Sequence, residues 1–345
     1  LLVATTAEPK IELRHGAGGR AMRALIRELF VDRLNHQGGP GIGLGAMDDG
    51  AAIPLGDQWL VVTTDSHVIS PIFFPGGDIG RLAVSGTVND LAMMGATEVL
   101  ALTFAMIVEE GFARADLERV RDSIDTACRE ADAQILTGDT KVMGRGEIDG
   151  LVLNTTGVAI TRRVVSDAGL TPGDAVILTG TAGDHGLAIM ACRHELALQG
   201  ELRSDVAPLG GLVRHALAAG GEDVVAMKDP TRGGVVSALC EMAQKAGVGI
   251  VLDGPSVPVS DGVRAAGELL GIDPLIVANE GKALVGVHAC AADRVLEALR
   301  EHPLGRDAAI VARCTAERPG RVVLDTGFGR RLLSEPDGEP LPRIC

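Results

Sequence analysis

Thr171-Pro172-Gly173-Asp174-Ala175-Val176-Ile177-Leu178-Thr179 reads as a Pro-Gly turn that leads into a short apolar strand, and it divides the chain. Upstream, a His15-Gly-Ala-Gly-Gly19 turn precedes a helix expected over 21–34, with Met22, Leu25, Ile26, Leu29 and Phe30 as its apolar face. Strands are expected over 51–54, 59–64, 100–108 and 150–160. Helices are expected over 80–94 and 115–131, the latter capped by Asp116 and apolar at Leu117, Val120, Ile124 and Ala127. Downstream, helical spacing falls at 187–199, 211–219, 233–246, 263–270 and 292–301, and strands at 250–252, 284–287 and 309–311. Strands and helices mix throughout, so the class is α+β (mixed α/β) in two halves of similar length. The expected boundaries are 1–165, 166–332 and a tail of 333–345 that has neither helical nor strand period.

A chain of 345 residues with 46% hydrophobic content suffices for two packed cores. Its 46 acidic against 32 basic side chains, a formal charge of -14, leave no electrostatic footprint for nucleic acid or an anionic membrane. An aromatic content of 2% argues against stacking platforms for single strands. Phosphorylated ligands would need local devices, and with only five lysines (Lys10, Lys141, Lys228, Lys245, Lys282) a Lys beside a glycine-rich or acidic loop stands out. No charge-free apolar stretch approaches the ~18 residues a membrane span needs, and the first residues lack the basic start of a secretory signal. The expectation is a cytoplasmic protein. The six cysteines include no CxxC pair, which disfavours a compact zinc site or redox pair. Five sit in or beside aliphatic stretches and are expected as buried hydrophobes. Cys345 is the last residue and follows a Pro-rich, acidic stretch.

Four acidic clusters occupy the first half: Asp48-Asp49, Asp65, Asn89-Asp90, and Thr137-Gly138-Asp139-Thr140-Lys141. Hard divalent cations take oxygen ligands, and Mg²⁺ combines a few carboxylates with phosphates and water. Carboxylates scattered in sequence can converge on one such site, although each is also an ordinary turn residue. The 138–141 turn adds a Lys suited to a phosphoryl group. In the second half, Gly183-Asp184-His185-Gly186 and Lys228-Asp229-Pro-Thr-Arg-Gly-Gly234 read as glycine-rich turns before helices, able to expose N–H groups to an anion or to cap with Asp. Glu280 of Asn279-Glu280-Gly281-Lys282 lies between apolar stretches. If buried, it would have a raised pKa and could act as a general base; it could equally be a turn residue paired with Lys282.

Taken in order from about residue 12 to the terminus, the His15 turn, Thr64-Asp-Ser-His-Val-Ile69, Phe73-Phe-Pro-Gly-Gly77, Asn89-Asp-Leu91, the 137–142 segment, Gly183-Asp-His-Gly186, Asp229-Pro-Thr-Arg-Gly-Gly234, Asn279-Glu-Gly-Lys282 and Pro342-Arg-Ile-Cys345 resemble the HypE family of hydrogenase maturation factors, which are carbamoyl dehydratases. The terminal Pro-Arg-Ile-Cys is the most specific piece. The acidic motifs alone fit the wider superfamily of aminoimidazole ribonucleotide synthetase, selenophosphate synthetase and thiamine monophosphate kinase.

The resemblance implies a two-domain aminoimidazole ribonucleotide synthetase-like fold, a homodimer whose N-terminal domains share a β-barrel, and a flexible C-terminal tail. It implies ATP and Mg²⁺ as cofactors, and as partners the carbamoyltransferase HypF and the HypC–HypD complex. Cys345 would carry a carbamoyl group that ATP-dependent dehydration turns into a thiocyanate, the cyanide source for [NiFe] hydrogenase iron. Asp48, Asp65, Asp90 and Asp139 would hold the metal, with Asn89, Gly138 and Thr140 beside the nucleotide. Lys141 would face the γ-phosphoryl group or orient the carboxamide, and Glu280 would be the base. A segment such as 336–342 gives the Cys a reach of ~20 Å at about 3.1 Å per residue. The competing readings are a superfamily enzyme acting on a free small molecule, and a carrier that only presents Cys345.

Overall fold

In the computed structural model, which describes residues 10–16, 18–37, 39–196, 202–336 and 343–345, the first unit runs α1 (Gly19–Ile26), β1 (Ala51–Leu55), β2 (Gln58–His67), a short hairpin of β3 (Phe73–Phe74) and β4 (Gly77–Asp78), α2 (Ile79–Met93), β5 (Glu98–Glu109), α3 (Arg114–Ala131), β6 (Ile135–Met143) and β7 (Leu151–Thr161). Its sheet has the order β1-β2-β7-β5-β6. Only β5 and β6 pair in parallel, with α3 as the crossover between them. Strand β7 alternates strictly, burying Leu151, Leu153, Thr155, Gly157 and Ala159, as a sheet with one covered face requires. The cover is α2, of whose 15 residues 13 are buried, because it is packed on both sides. It lies on β2 and β7 and meets the second unit behind it. The Asp78 carboxylate caps α2 by accepting N–H bonds from Gly80 and Arg81 at 2.7 and 3.0 Å. Gly157 permits the close approach, since a Cβ there would stand 2.7 Å from Leu91 and 2.8 Å from Thr87 on the helix.

The second unit contains β8 (Ala175–Leu178), α4 (Asp184–Arg193), α5 (Gly210–Gly220), β9 (Val224–Lys228), α6 (Gly234–Ala246), β10 (Gly249–Asp253), α7 (Asp261–Leu270), β11 (Leu284–Val287), α8 (Ala292–Glu301), β12 (Ala309–Thr315), β13 (Val322–Asp325) and β14 (Arg330–Leu333). Its seven strands lie in the order β14-β13-β10-β12-β8-β11-β9. Strands β8 and β11 are buried at every position, which explains their unbroken aliphatic sequence. Among the described residues, no helix is long and apolar enough to cross a membrane.

Several sequence expectations are corrected. The 138–141 segment is not a turn but the middle of β6, because Gly138 to Lys141 pair with Phe104 to Ile107 of β5. Gly138 is required there, as a Cβ would fall 1.9 Å from the Phe104 carbonyl oxygen. The first helix is α-helical only to Ile26 and continues as a wider π-turn to Val31, leaving Leu29 and Phe30 about half exposed. Asp116 does not cap α3, which starts at Arg114 after Ala113 without a side-chain cap; Asp116 pairs with Arg119 instead. The helix expected to 199 ends at Arg193, and 197–199 lie outside the described residues. Of the five cysteines expected in cores, Cys128, Cys240 and Cys314 are buried, Cys192 is half-buried and Cys290 is exposed.

Candidate active site

A cavity of about 580 Å³ opens where β1, β2 and α2 of the first unit meet β9, α6 and the 279–282 loop of the second, roofed by α1. Asp48, Asp49, Thr63, Asp65, Asp90, Lys228, Asp229, Arg232, Glu241, Glu280 and Cys345 line it, together with apolar Met22, Ile26, Leu44 and Val62. Chain elements far apart in sequence thus bring seven side-chain carboxyl groups and one cysteine to a common space.

Those carboxyl groups are held by different means. Asp65 accepts the Ser66 N–H at 2.8 Å and stands 3.1 Å from Nε2 of the buried His67. Burial alone would raise Asp65, but His67, Arg232 and the Ser66 N–H hold it down at about 2. Burial raises Asp48 to about 6, aided by Asp167 and Asp49, while the Ser166 hydroxyl donates to it at 2.6 Å. Asp229 is pushed up to about 8 by burial and by Asp49. Asp90 goes well above the carboxylate range through burial and the charges of Asp229, Asp65 and Asp49; the Thr63 hydroxyl lies 2.9 Å from it. Glu280 is likewise raised well above its ordinary value, by burial first and then Asp229, Asp205 and Asp65. Apart from Asp65, burial and mutual repulsion favour the protonated forms of these clustered acids until a cation neutralises them.

At the cavity wall, Lys228 and Arg23 are already committed to carboxylates, as is Lys245 nearby. Lys228 Nζ is 2.5 Å from Asp49, 3.3 Å from Asp167 and 3.5 Å from Glu241. Although burial disfavours its charge, these carboxylates keep Lys228 well above its usual pKa. Lys245 reaches Asp167 at 2.7 Å and the Met47 carbonyl at 2.5 Å. Arg23 of α1 pairs with Glu241 at 3.3 Å and also with Glu335.

The residues present suit Mg²⁺. The donors are hard carboxylate oxygens, and the buried Asp49 Oδ2 and Glu280 Oε1 have no hydrogen-bond partner among the described residues. Among the described residues no group of three Asp, Glu, His or Cys side chains is placed to hold a metal ion.

Of the residues singled out from sequence, Asp48, Asp65, Asp90, Glu280 and Cys345 meet here. Asp139 does not: it lies on the exposed edge strand β6 and pairs with Lys141 at 3.4 Å, each side chain 64% exposed. Gly138, Thr140 and Lys141 share that strand and are exposed. Asn89 is buried and contributes its side chain to the fold, donating to the Ala207 carbonyl at 3.0 Å and the Glu280 carbonyl at 3.4 Å and accepting the Leu209 N–H at 2.7 Å. Glu280 is not paired with Lys282, which reaches Asp205 at 3.0 Å and Asp184 at 3.5 Å. Neither α4 nor α6 has a side-chain N-cap; the Asp184 carboxylate is taken by Thr181 and Ser260, while Asp229 faces the cavity. Asp49, Lys228, Asp229 and Arg232 were not assigned roles from sequence. The Asp48-Asp49 pair and a scarce Lys beside a Gly-rich turn were the available signals.

The chain end is seated. Ile344 is 1% exposed, and Cys345, packed against the same core cluster, is among the residues that line the cavity.

Residues 47–161 match the AIR synthase related protein N-terminal domain and 171–325 its C-terminal domain. The carbamoyl dehydratase HypE of Bradyrhizobium diazoefficiens is 47% identical over 338 residues, covering 97% of this chain and 96% of that protein. The chain belongs to the HypE family. Two solved HypE structures, each 41% identical, share the fold. HypE from a complex with HypF gives a TM-score of 0.84, covering 91% of this chain and 100% of the other. HypE in complex with ATP gives 0.80, covering 97% and 100%.

Proposed function

We propose that this HypE-family chain serves hydrogenase maturation as an ATP-dependent dehydratase of its own C-terminus, converting S-carbamoyl-Cys345 to S-cyano-Cys345. The observation that carries the reading is Cys345 standing in the same cavity as Asp65, Asp229 and Glu280. A non-catalytic carrier has no need to bring its thiol among carboxyl groups, and an enzyme for free small molecules has no need to seat its own terminus there.

The chemistry fits these side chains. A carboxamide oxygen is a poor leaving group until its attack on the ATP γ-phosphorus, with ADP leaving, makes it a phosphate ester. Phosphate then departs with the C–O bond electrons, and the nitrogen loses both protons as the nitrile forms. Glu280 is the proposed proton acceptor. Burial, the first cause of its raised pKa, persists when the neighbouring carboxylates are neutralised and would make it a stronger base than an ordinary Glu. Asp48, Asp65 and Asp90, with Asp49, would hold Mg²⁺, which supplies charge neutralisation for the phosphates. Arg232 lines the same wall and would face developing phosphate charge.

Asp139 and Lys141 act in this scheme only through a second copy. Strand β6 is an unpaired edge with Leu136 and Val142 about two-thirds exposed, a surface that soluble proteins cover. We propose a homodimer closed through this edge, which would bring Lys141 to the phosphoryl group or the carboxamide, with Asp139, Thr140 and Gly138 beside the nucleotide. HypF as carbamoyl donor and HypC–HypD as holder of the receiving iron complete the proposal.

Intact-mass analysis after incubation with HypF, carbamoyl phosphate and ATP tests it. The C-terminal peptide should gain one carbamoyl group and then lose one water. Turnover of a free substrate by a chain lacking residues 343–345 would sink the reading.

A further inference from the structure

We propose that His185, Ser204 and the apolar pocket beside Phe74 form a peptide-binding seat that reads Arg343 and Ile344 and thereby sets the position of Cys345. His185 lies on α4, fully buried. Its Nε2 is 2.7 Å from the Ile344 carbonyl oxygen and its Nδ1 2.7 Å from the Ser204 hydroxyl. A carbonyl oxygen can only accept, so Nε2 carries the hydrogen and Nδ1 accepts from Ser204. The Ser204 oxygen accepts in turn from the Val206 N–H at 3.2 Å. Every polar atom of the pair is therefore used, and burial lowers the His185 pKa, keeping the ring in the neutral form this pattern needs.

The rest of the seat is equally specific. His185 packs edge-on against Phe74 with ring centroids 5.5 Å apart, and the Ile344 side chain joins the core cluster that contains Ile69, Phe74, Leu187 and Val206. One residue back, the Arg343 carbonyl accepts from the Ser70 N–H at 3.3 Å and from Arg193, and the Arg343 guanidinium pairs with Asp149. Two main-chain carbonyls, one buried branched side chain and one ion pair are thus recognised. This is the division of labour of a peptide site, with main-chain bonds for affinity and pockets for identity. An unrecognised chain end would be expected to fray instead. His185 is not among the cavity-lining residues. It acts through Ile344 and is a positioning residue.

The catalytic consequence rests on the dehydratase reading, but the seat can be measured without it. The probe is iodoacetamide on the full-length chain, with the rate at Cys345 mapped by mass and exposed Cys290 as internal reference. His185→Leu removes the donor at similar volume. It should speed Cys345 alkylation about tenfold, equivalent to about 1.4 kcal/mol of docking, and leave Cys290 unchanged. His185→Gln places an amide N–H near the Nε2 position and should restore the slow rate. Ile344→Ser should also accelerate Cys345 without touching His185. Unchanged Cys345 rates in both His185→Leu and Ile344→Ser, or equal acceleration at Cys290, would overturn the seat. A wild-type chain whose Cys345 is protected yet never loses water from its carbamoylated form would instead overturn the function and leave the seat standing.

Discussion

Lys228 Nζ lies 2.5 Å from Asp49 Oδ1, and this contact ties the last residue of β9 to a carboxylate of the cavity floor. The same ammonium answers Asp167 and Glu241, so one cation stands among three carboxylates. Lys228→Met should destabilise the fold by about 3–5 kcal/mol, the cost of leaving buried charge unpaired. Urea unfolding followed by circular dichroism measures it, and a loss below about 1 kcal/mol would show the cluster to be solvated.

Acidic groups with raised pKa values make stability fall as pH rises. Asp48 and Asp229, at about 6 and about 8 in the folded protein, hold protons that the unfolded chain releases near 4. Their contribution is complete below about pH 4 and is lost as pH climbs through those folded values. Without divalent cations, the Tm should decline from pH 5 towards pH 8, and Asp229→Asn should flatten the decline. Scanning calorimetry across that range is the check; a Tm that rises with pH would contradict the burial of these acids.

Glu280→Gln keeps the size of the side chain and removes the base. It should slow the loss of water from carbamoylated Cys345 by about 10²–10⁴-fold, so that the carbamoyl form accumulates, while ATP still binds. An undiminished rate in quenched-flow mass spectrometry would take the role away from Glu280.

Asp65 is the one cavity carboxyl held at about 2, hence charged before any cation arrives. Asp65→Asn should weaken Mg-dependent ATP binding by about 10–100-fold in titration calorimetry. Metal-free ATP binding should change far less, and equal losses with and without Mg²⁺ would argue against a metal contact.

Leu136 and Val142 sit on the exposed edge strand, about two-thirds exposed. Val142→Asp should shift the chain from dimer to monomer in light scattering after gel filtration and reduce dehydration with it. A Val142→Asp chain that stays dimeric would move the interface elsewhere.

Much of the fold was readable because local pattern and tertiary role agree. The bounds read from spacing for β11 and α8 are those observed; the one is a buried aliphatic run and the other a strongly amphipathic helix. Residues 138–141 were misread because Gly and Asp signal turns, whereas pairing with β5 decides the backbone there. That Asp139 and Lys141 lie on an edge depends on strand order, which no local pattern encodes. Lys228 was visible as a scarce lysine, but its three partners come from separate elements. The terminal cysteine could be singled out by position and context. Where it rests could not, because the hydrogen bond that holds its neighbour spans 159 residues.

Asn89 gives all of its amide to the seam between the units, reaching the main chain at 207, 209 and 280. Swinging the two sheets apart would strand that amide and three backbone groups, at about 1–3 kcal/mol for each unsatisfied group. The body therefore behaves as a fixed anvil. On the function proposed above, only the light end of the chain would travel between partners, a three-residue hand that closes again on this anvil when it returns.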